Sequence, residues 1–360
     1  GLAKARDLKH EKYNVIAVIG DGSLSGGEAL EGLDYAAELN GNLIIIVNDN
    51  DMSIAENHGG LYQNLKLLRE TKGQAECNLF KAMGLDYLYI DQGNDVASLI
   101  EGFEKVKDTK KAVVVHIRTQ KGKGYLPAEK DKETWHYSGP FHMDTGKPLV
   151  EEVSEDYSDV TVKYLLDKMK KDPTVVAITS GTPTVLGFTA DKRKEAGSQF
   201  VDVGIAEETA VALASGIAAN GGKPIWGVYS SFVQRTYDQI SQDLCINGNA
   251  ATMVVYWGTV YGMNDVTHLG LYDIAMLSNI PNLVYLAPTT KEEYLAMLDW
   301  SMEQNEHPVA IRTPGSTMIS DGKEVTKDFS KINTYEMTQK GSKTALIGLG
   351  TFYSLAKEAA

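Results

Sequence analysis

Two short apolar segments that each end in a polar turn constrain the fold of this 360-residue chain more than any other feature. The first ends at Gly20-Asp21-Gly22 and the second at Asn48-Asp49-Asn50, with apolar residues at helical spacing between them. Short β-branched runs bounded by turn residues are typical of buried parallel strands. We therefore expect a strand–helix–strand unit whose strand ends bring Asp21 and Asn50 together, where ligands of such sheets bind.

The residues of these turns suit a metal ion with a diphosphate. Asp21 offers a carboxylate oxygen and Asn50 an amide oxygen, and a backbone carbonyl just after the second strand can complete an oxygen set for Mg²⁺. Small residues after Asp21 lead into a helix N-terminus, where backbone N–H groups bind phosphate. These small residues are Gly22, Ser23, Ser25, Gly26 and Gly27. A turn alone would explain Gly-Asp-Gly, but an acidic turn, a helix and an Asn after the next strand resemble the thiamine-diphosphate fingerprint.

Charge and composition exclude several classes of partner. The chain has 35 basic and 48 acidic residues and a net charge of −13, so neither nucleic acid nor an anionic membrane surface is expected as a partner. No apolar run approaches the roughly 18 residues that a membrane span needs. Cys77 and Cys245 are distant in sequence and without metal-type spacing, which fits reduced thiols in a cytoplasmic protein.

The remaining pattern alternates strands and helices and predicts an α/β fold. We expect two consecutive domains, each a mostly parallel sheet with helices on both faces, and the start of a third α/β domain. The expected domains are residues 1–120, which bind diphosphate and Mg²⁺, 121–155, an active-site loop and linker, 156–320, which bind a pyrimidine, and 321–360, a linker and truncated domain. Further strands are predicted at 87–90, 112–117, 175–179, 200–203, 224–228, 251–256, 283–287, 309–312 and 345–349, and a helix is predicted over 232–245.

Two features of the chain's organisation leave alternatives open. The connection 119–150 is rich in Gly, Lys and aromatic residues; a linker would explain its length, whereas its composition favours a loop that lines a site. The chain begins and stops within helix-like stretches, 1–7 and 352–360, which predicts a fragment of a longer protein.

A second group of candidate residues follows the strands of the second domain. Glu207 lies just past a strand, in the first turn of an apolar helix. A Glu there can simply favour the helix dipole, but thiamine diphosphate needs one buried carboxyl group of raised pKa against its pyrimidine ring. Phe232 could be ordinary core or could stack on that ring. His268 could be structural or could contact substrate.

Longer stretches carry a family resemblance. The chain resembles the 1-deoxy-D-xylulose-5-phosphate synthase family of the transketolase superfamily over essentially its whole length. Members of that family are dimers that decarboxylate pyruvate and add the two-carbon unit to glyceraldehyde 3-phosphate. The matching stretches are GDGSLSGGEALEG, NDNDMSIAEN, KGKGYLPAEKDKETWH, VDVGIAEETAV, YSSFVQRTYDQI and THLG.

The resemblance implies a role for each matching residue. Asp21, Asn50 and the Met52 carbonyl would bind Mg²⁺, and Gly22 and Ser23 would bind the diphosphate. Glu207 would activate the cofactor, and Phe232 would stack on its pyrimidine. The residues expected to line the substrate channel are His136, Tyr229, Arg235, His268 and Arg312, of which His136 and His268 would be catalytic together with Glu207.

Several positions depart from the family pattern and leave the substrate open. Tyr256-Trp257-Gly258-Thr259 stands where the family has Asp-Arg-Ala-Gly, whose Arg helps hold the acceptor phosphate. Asn264 replaces an Asp, and Arg312-Thr313-Pro314-Gly315 lacks a second Arg. Loss of a bidentate phosphate contact weakens binding.

Three other functions are therefore weighed against the family reaction. A paralogue that transfers a ketol unit or uses another acceptor is one alternative, and a non-catalytic cofactor-binding subunit is another. A nucleotide-binding fold is weaker, because neither a G-x-G-x-x-G turn nor a Gly-Lys-Ser/Thr phosphate loop follows the first strand.

Overall fold

The computed structural model describes residues 1–150, 154–259, 266–315, 318–331 and 334–360. It divides into two compact units, of which the first is Gly1–Glu152 with Gly204–Ala206 and the second is Val153–Val203 with Glu207–Ala360. Within the described residues, no helix has the length and apolar character required to cross a bilayer.

The first unit is built on a four-stranded parallel sheet. Its order is β1-β2-β4-β3, so that β2 and β4 are central. The chain supplies β-branched residues for these strands, and β4 is buried along nearly its whole length, as expected of a strand covered on both faces. The strands are β1 (Ile16–Gly20), β2 (Leu43–Asp49), β3 (Asp86–Ile90) and β4 (Ala112–Arg118).

Helices of the first unit pack their apolar residues against this sheet. Leu33 of α2, Leu65 and Leu68 of α3 and Phe80 of α4 share one core with Val47 and Val114 of the sheet. The helices are α1 (Leu2–Leu8), α2 (Gly27–Ala37), α3 (Gly60–Glu70), α4 (Leu79–Ala82), α5 (Val96–Val106) and α6 (Leu126–Lys130), with 3₁₀ turns at Asp21–Ser25 and Thr134–His136.

The second unit is built on a six-stranded parallel sheet of order β6-β5-β7-β8-β10-β9. Its apolar strands share cores with the helices, and Trp226, Tyr157 and Tyr294 are among the largest fully buried side chains. The strands are β5 (Val175–Thr179), β6 (Phe200–Asp202), β7 (Lys223–Tyr229), β8 (Thr252–Tyr256), β9 (Val284–Leu286) and β10 (Val309–Arg312).

Three helices of the second unit have 13 residues each. The α-helices are α7 (Tyr157–Met169), α8 (Ala190–Ala196), α9 (Glu207–Ala219), α10 (Tyr237–Gln239), α11 (Asp273–Leu277), α12 (Lys291–Glu303) and α13 (Phe352–Ala359). Shorter 3₁₀ turns lie at Pro183–Leu186, Gly197–Gln199, Val233–Thr236 and Val266–His268, and a π-helix lies at Ile240–Ile246.

Two of the predicted elements are wrong. The segment 345–349 is not a strand: Ile347 is 93% exposed, and within the described residues no neighbouring strand pairs with this segment. Extended backbone without a paired neighbour has no ladder to stabilise it. The single helix predicted over 232–245 is instead a 3₁₀ turn, one short α-helical turn and a π-helix. The two parallel α/β sheets themselves are confirmed.

Candidate active site

Asp21 lies at the carboxyl end of β1, beside the end of β2. The parallel register pairs Gly20 with Asn48, so Asp21 and Asn50 follow neighbouring strand ends. The Asn50 backbone N–H lies 3.5 Å from Asp21 Oδ1, and Asn57 Nδ2 donates to Asp21 Oδ2 at 2.8 Å. The predicted juxtaposition of Asp21 and Asn50 is therefore present.

Burial sets the charge behaviour of Asp21. Its side chain is only 1% exposed. Burial, and next the negative charge of Asp49, raise the pKa of the Asp21 carboxyl to about 6, although backbone hydrogen bonds around Asn50 act in the opposite direction. A buried carboxylate of this kind is stabilised by a cation, so the position suits a metal ligand.

Asn50 presents an oxygen without a hydrogen-bond partner. Its Oδ1 is buried and, within the part of the chain that the structure describes, accepts no hydrogen bond. Such an orphaned acceptor costs about 1–3 kcal/mol in a protein interior. Met52 lies two residues further on, where it forms an isolated bridge with Glu56. A carboxylate, an amide oxygen and a backbone carbonyl form the hard-oxygen donor set that Mg²⁺ prefers, so these residues fit the ion.

The small residues after Asp21 form a tight 3₁₀ turn, Asp21–Ser25. A Cβ on Gly22 would lie 2.6 Å from the Ser53 Cβ, so only glycine fits this approach. The Gly22 carbonyl accepts hydrogen bonds from Tyr62 Oη and Ser25 Oγ, each at 3.0 Å. Binding of a diphosphate by Gly22 and Ser23 stays a prediction.

His136 lies in a 3₁₀ turn of the 119–150 connection, which also contains helix α6. Its Nδ1 is 3.2 Å from Lys121 Nζ, and Lys121 in turn donates to the Ser53 carbonyl. Burial, followed by the charge of Lys121, lowers the pKa of His136, which favours the neutral imidazole. The rings of Tyr125, Trp135 and Phe141 pack together in the same connection.

Glu207 is the first residue of α9 in the second unit and is 3% exposed. Arg235 Nη1 donates to Glu207 Oε2 at 2.8 Å, and the second guanidinium nitrogen lies 3.3 Å from Glu208. Burial nevertheless outweighs the charge of Arg235 and raises the pKa of the Glu207 carboxyl. Glu207 is therefore a buried carboxyl group of raised pKa, and its role toward a cofactor stays a prediction.

An aromatic cluster lies at the ends of β7 and β8, which are neighbouring strands. Phe232 contacts the Tyr229 ring at a centroid distance of 5.4 Å and the His268 ring at 5.2 Å. Trp257 contacts Tyr229 at 5.5 Å, and its φ of 57° lies in the left-handed region that few bulky residues adopt. The structure thus brings together three predicted residues, Tyr229, Phe232 and His268, with Trp257.

Arg312, at the end of β10, forms a buried ion pair that sequence reasoning missed. Its Nε donates to Asp273 Oδ2 at 2.6 Å, and Tyr285 Oη donates to the same oxygen at 2.7 Å. Asp273 Oδ1 is buried and has no hydrogen-bond partner among the described residues. A lone Asp at the start of a short helix carries no sequence signal for such a role. The substituted position Asn264 lies outside the described residues.

Two family models match parts of this chain. The model described as "Transketolase, pyrimidine binding domain" matches residues 156–318, and the model of 1-deoxy-D-xylulose-5-phosphate synthase matches residues 1–78. Residues 156–318 lie in the second unit and are thus similar to the pyrimidine-binding domain of transketolase, and the two parallel α/β sheets are those predicted from the sequence.

Curated proteins are similar to nearly the whole of this chain. The chain is 36% identical to 1-deoxy-D-xylulose-5-phosphate synthase of Desulfitobacterium hafniense, over 97% of this chain and 61% of that protein. It is 37% identical to the synthase of Clostridium beijerinckii, over 97% of this chain and 62% of that protein. The chain is therefore a relative of the 1-deoxy-D-xylulose-5-phosphate synthases, as the motifs predicted, and spans about three fifths of the length of these relatives.

Among solved structures, the chain is similar to transketolase from Leishmania mexicana, at 16% identity and a TM-score of 0.45. The match covers 87% of this chain and 57% of that one.

Proposed function

We propose that this protein is a thiamine-diphosphate- and Mg²⁺-dependent transferase of the 1-deoxy-D-xylulose-5-phosphate synthase type. It would decarboxylate pyruvate and join the two-carbon unit to glyceraldehyde 3-phosphate, at the start of isoprenoid precursor synthesis. One observation carries the proposal: buried Asp21 lies beside the backbone N–H of Asn50, whose side-chain oxygen is buried and has no hydrogen-bond partner among the described residues. A buried carboxyl group next to a residue with an orphaned oxygen suits a cation.

The family resemblance assigns cofactor-binding roles to residues of each unit. Asp21, Asn50 and the Met52 carbonyl would hold Mg²⁺, and Gly22 and Ser23 would hold the diphosphate. In the second unit, Glu207 would bind the pyrimidine and Phe232 would stack on it. When bound, thiamine diphosphate supplies the electron sink for breaking and forming the carbon–carbon bond.

Glu207 would hold the proton that this chemistry needs. Because burial raises its pKa, the carboxyl can carry a proton in a range where an exposed Glu would be ionised. Arg235 fixes one carboxyl oxygen through a hydrogen bond of 2.8 Å and so limits rotation of the group. The side chain can therefore keep a fixed position while the proton is gained or lost.

The substrate residues are proposed on the family resemblance together with their placement. Tyr229 and His268 belong to the aromatic cluster, Arg235 contacts Glu207, and Arg312 lies at the end of β10. His136 contacts Lys121 in the first unit. We also propose a cytoplasmic homodimer, on the strength of the same resemblance.

One alternative has structural support. Arg312 is held by buried Asp273, and Trp257 packs on Tyr229 next to it. An Arg that is already paired binds a phosphate less readily, so a different acceptor, or ketol transfer between other sugar phosphates, is the second candidate. The third candidate, a non-catalytic cofactor-binding subunit, would have no use for a Glu207 of raised pKa.

Turnover assays separate these candidates. We expect the protein with thiamine diphosphate and Mg²⁺ to release CO₂ from pyruvate and to form 1-deoxyxylulose 5-phosphate when glyceraldehyde 3-phosphate is supplied. Glu207→Gln should remove turnover and retain diphosphate binding. Consumption of ketose donors in place of pyruvate would favour ketol transfer, and cofactor binding without any turnover would favour the non-catalytic subunit.

A further inference from the structure

A buried polar group lies behind the turn that carries Asn50, and the proposed chemistry does not use it. His116 lies within β4, in the apolar run Val113–Ile117, and its side chain is inaccessible to solvent. Its Nε2 is 2.8 Å from Asp49 Oδ2, and its Nδ1 is 2.8 Å from Tyr87 Oη. The group therefore joins β2, β4 and β3, which are neighbours in the sheet.

Arg69 of α3 balances the charge of this group. Its Nη1 donates to both carboxylate oxygens of Asp49, at 2.8 and 2.7 Å. Oδ2 of Asp49 also lies 2.8 Å from His116 Nε2, so the carboxylate has a partner on both sides. Asp49 is therefore a buried carboxylate whose two oxygens are both occupied.

The two contacts of the His116 ring are compatible with one tautomer. With the ring proton on Nε2, this nitrogen donates to Asp49 and Nδ1 accepts from the Tyr87 hydroxyl. Each member of the chain orients the next.

Asp49 and Arg69 also hold the turn that follows β2. Asp49 Oδ1 accepts the backbone N–H of Asp51 at 3.1 Å, and Arg69 Nη2 donates to Asp51 Oδ1. Asp51 adopts a φ of 66°, in the left-handed region that an L residue enters only when its surroundings require it. Asn50 therefore lies between two residues whose positions are fixed by the same buried group.

We propose that Tyr87, His116 and Arg69 are positioning residues for divalent-cation binding: they fix Asp49 and, through it, the turn that presents Asn50 beside Asp21. This inference rests on the proposed function, because it takes Asn50 as a ligand of Mg²⁺. None of the three touches the ion. Residues that orient metal ligands without touching the metal change affinity by about 10–100-fold when they are replaced.

A matched pair of variants on one strand tests the proposal. Tyr87→Phe removes the hydroxyl that contacts His116 Nδ1. Tyr89→Phe removes a hydroxyl that contacts Asp91 at 3.2 Å, although the Tyr89 ring also packs on His116. We expect Tyr87→Phe to weaken Mg²⁺ binding about tenfold in calorimetric titrations at saturating thiamine diphosphate. Tyr89→Phe leaves the Tyr87 hydroxyl in place, so it should change the Mg²⁺ affinity by less than about twofold in the same titrations.

Further variants and controls separate positioning from a general loss of stability. His116→Gln can still donate a hydrogen bond to Asp49, so it should bind Mg²⁺ more tightly than His116→Phe. Thermal unfolding without ligands identifies variants that fold poorly, and the affinity difference must persist between variants of equal Tm. Equal Mg²⁺ affinity in Tyr87→Phe and the unaltered protein, or an equal loss in both tyrosine variants, would overturn the positioning role. Absence of Mg²⁺-dependent cofactor binding in the unaltered protein would overturn the proposed function itself.

Discussion

At the scale of single residues, burial raises the pKa of two carboxyl groups, those of Asp21 and Glu207, and the two groups suit different roles. Asp21 is close enough to Asp49 for the negative charge of that carboxylate to raise its pKa, and it lies beside the backbone of Asn50, so a cation is the group that would compensate it. Glu207 already contacts Arg235, and the remaining rise in its pKa favours a proton. The same desolvation thus suits a metal site in one unit and an acid–base site in the other.

The charges around Glu207 predict opposite pH shifts for two variants. Arg235 lowers the pKa of Glu207, and Glu208 raises it. Arg235→Met should therefore move the Glu207 ionisation to higher pH, and Glu208→Gln should move it to lower pH. The pH dependence of kcat at saturating substrate measures both shifts, and shifts in the same direction would contradict the assignment of Glu207.

Residues that directly follow strand ends could be placed from the sequence. Residues whose partners are distant in the sequence could not. Asp21 and Asn50 were predicted to meet because parallel strands bring their carboxyl ends to one edge. The pair of Arg312 with Asp273 joins residues 39 apart in the chain, and no local periodicity reports such a contact. His116 has only a faint sequence signal, a lone His within an apolar strand.

At the scale of elements, the cap of α4 predicts a measurable loss of stability. Asn78 Oδ1 accepts hydrogen bonds from the N–H groups of Phe80 and Lys81, at 3.0 and 3.2 Å, and Asn78 is buried. Asn78→Ala should lower the free energy of unfolding by about 1 kcal/mol, and Asn78→Ser, which can still cap, should lower it less. Urea denaturation measures both, and an Asn78→Ala variant as stable as the unaltered protein would refute the role of the cap.

Among the elements, the strands were easier to predict than the irregular helices. Apolar β-branched runs mark the central strands, and β2, β5, β8 and β10 begin and end within two residues of the prediction. The segment 233–246 has helical periodicity, but 3₁₀, α- and π-helical turns differ in hydrogen bonding rather than in apolar pattern. The wrong strand at 345–349 shows that an apolar run also needs a neighbour to pair with.

At the scale of the whole molecule, each unit has its own sheet and its own hydrophobic clusters. Family models match within both units, at residues 1–78 and 156–318. Residues 204–206 group with the first unit although their chain neighbours belong to the second. The apolar pattern of the sequence cannot predict the assignment of residues 204–206 to the first unit. This assignment follows from contacts between residues that are distant in sequence.

Calorimetric titration with thiamine diphosphate, with and without Mg²⁺, tests the central claim most directly. We expect saturable binding that requires Mg²⁺, is lost in Asp21→Ala and weakens as the pH falls below about 6, because a proton on Asp21 then competes with the ion. Because the pKa of the Asp21 carboxyl is raised to about 6, the Mg²⁺ affinity should be full above that pH and should decline below it. Absence of binding, or binding that is indifferent to Mg²⁺ and to Asp21, would contradict the proposal that this protein is a thiamine-diphosphate enzyme.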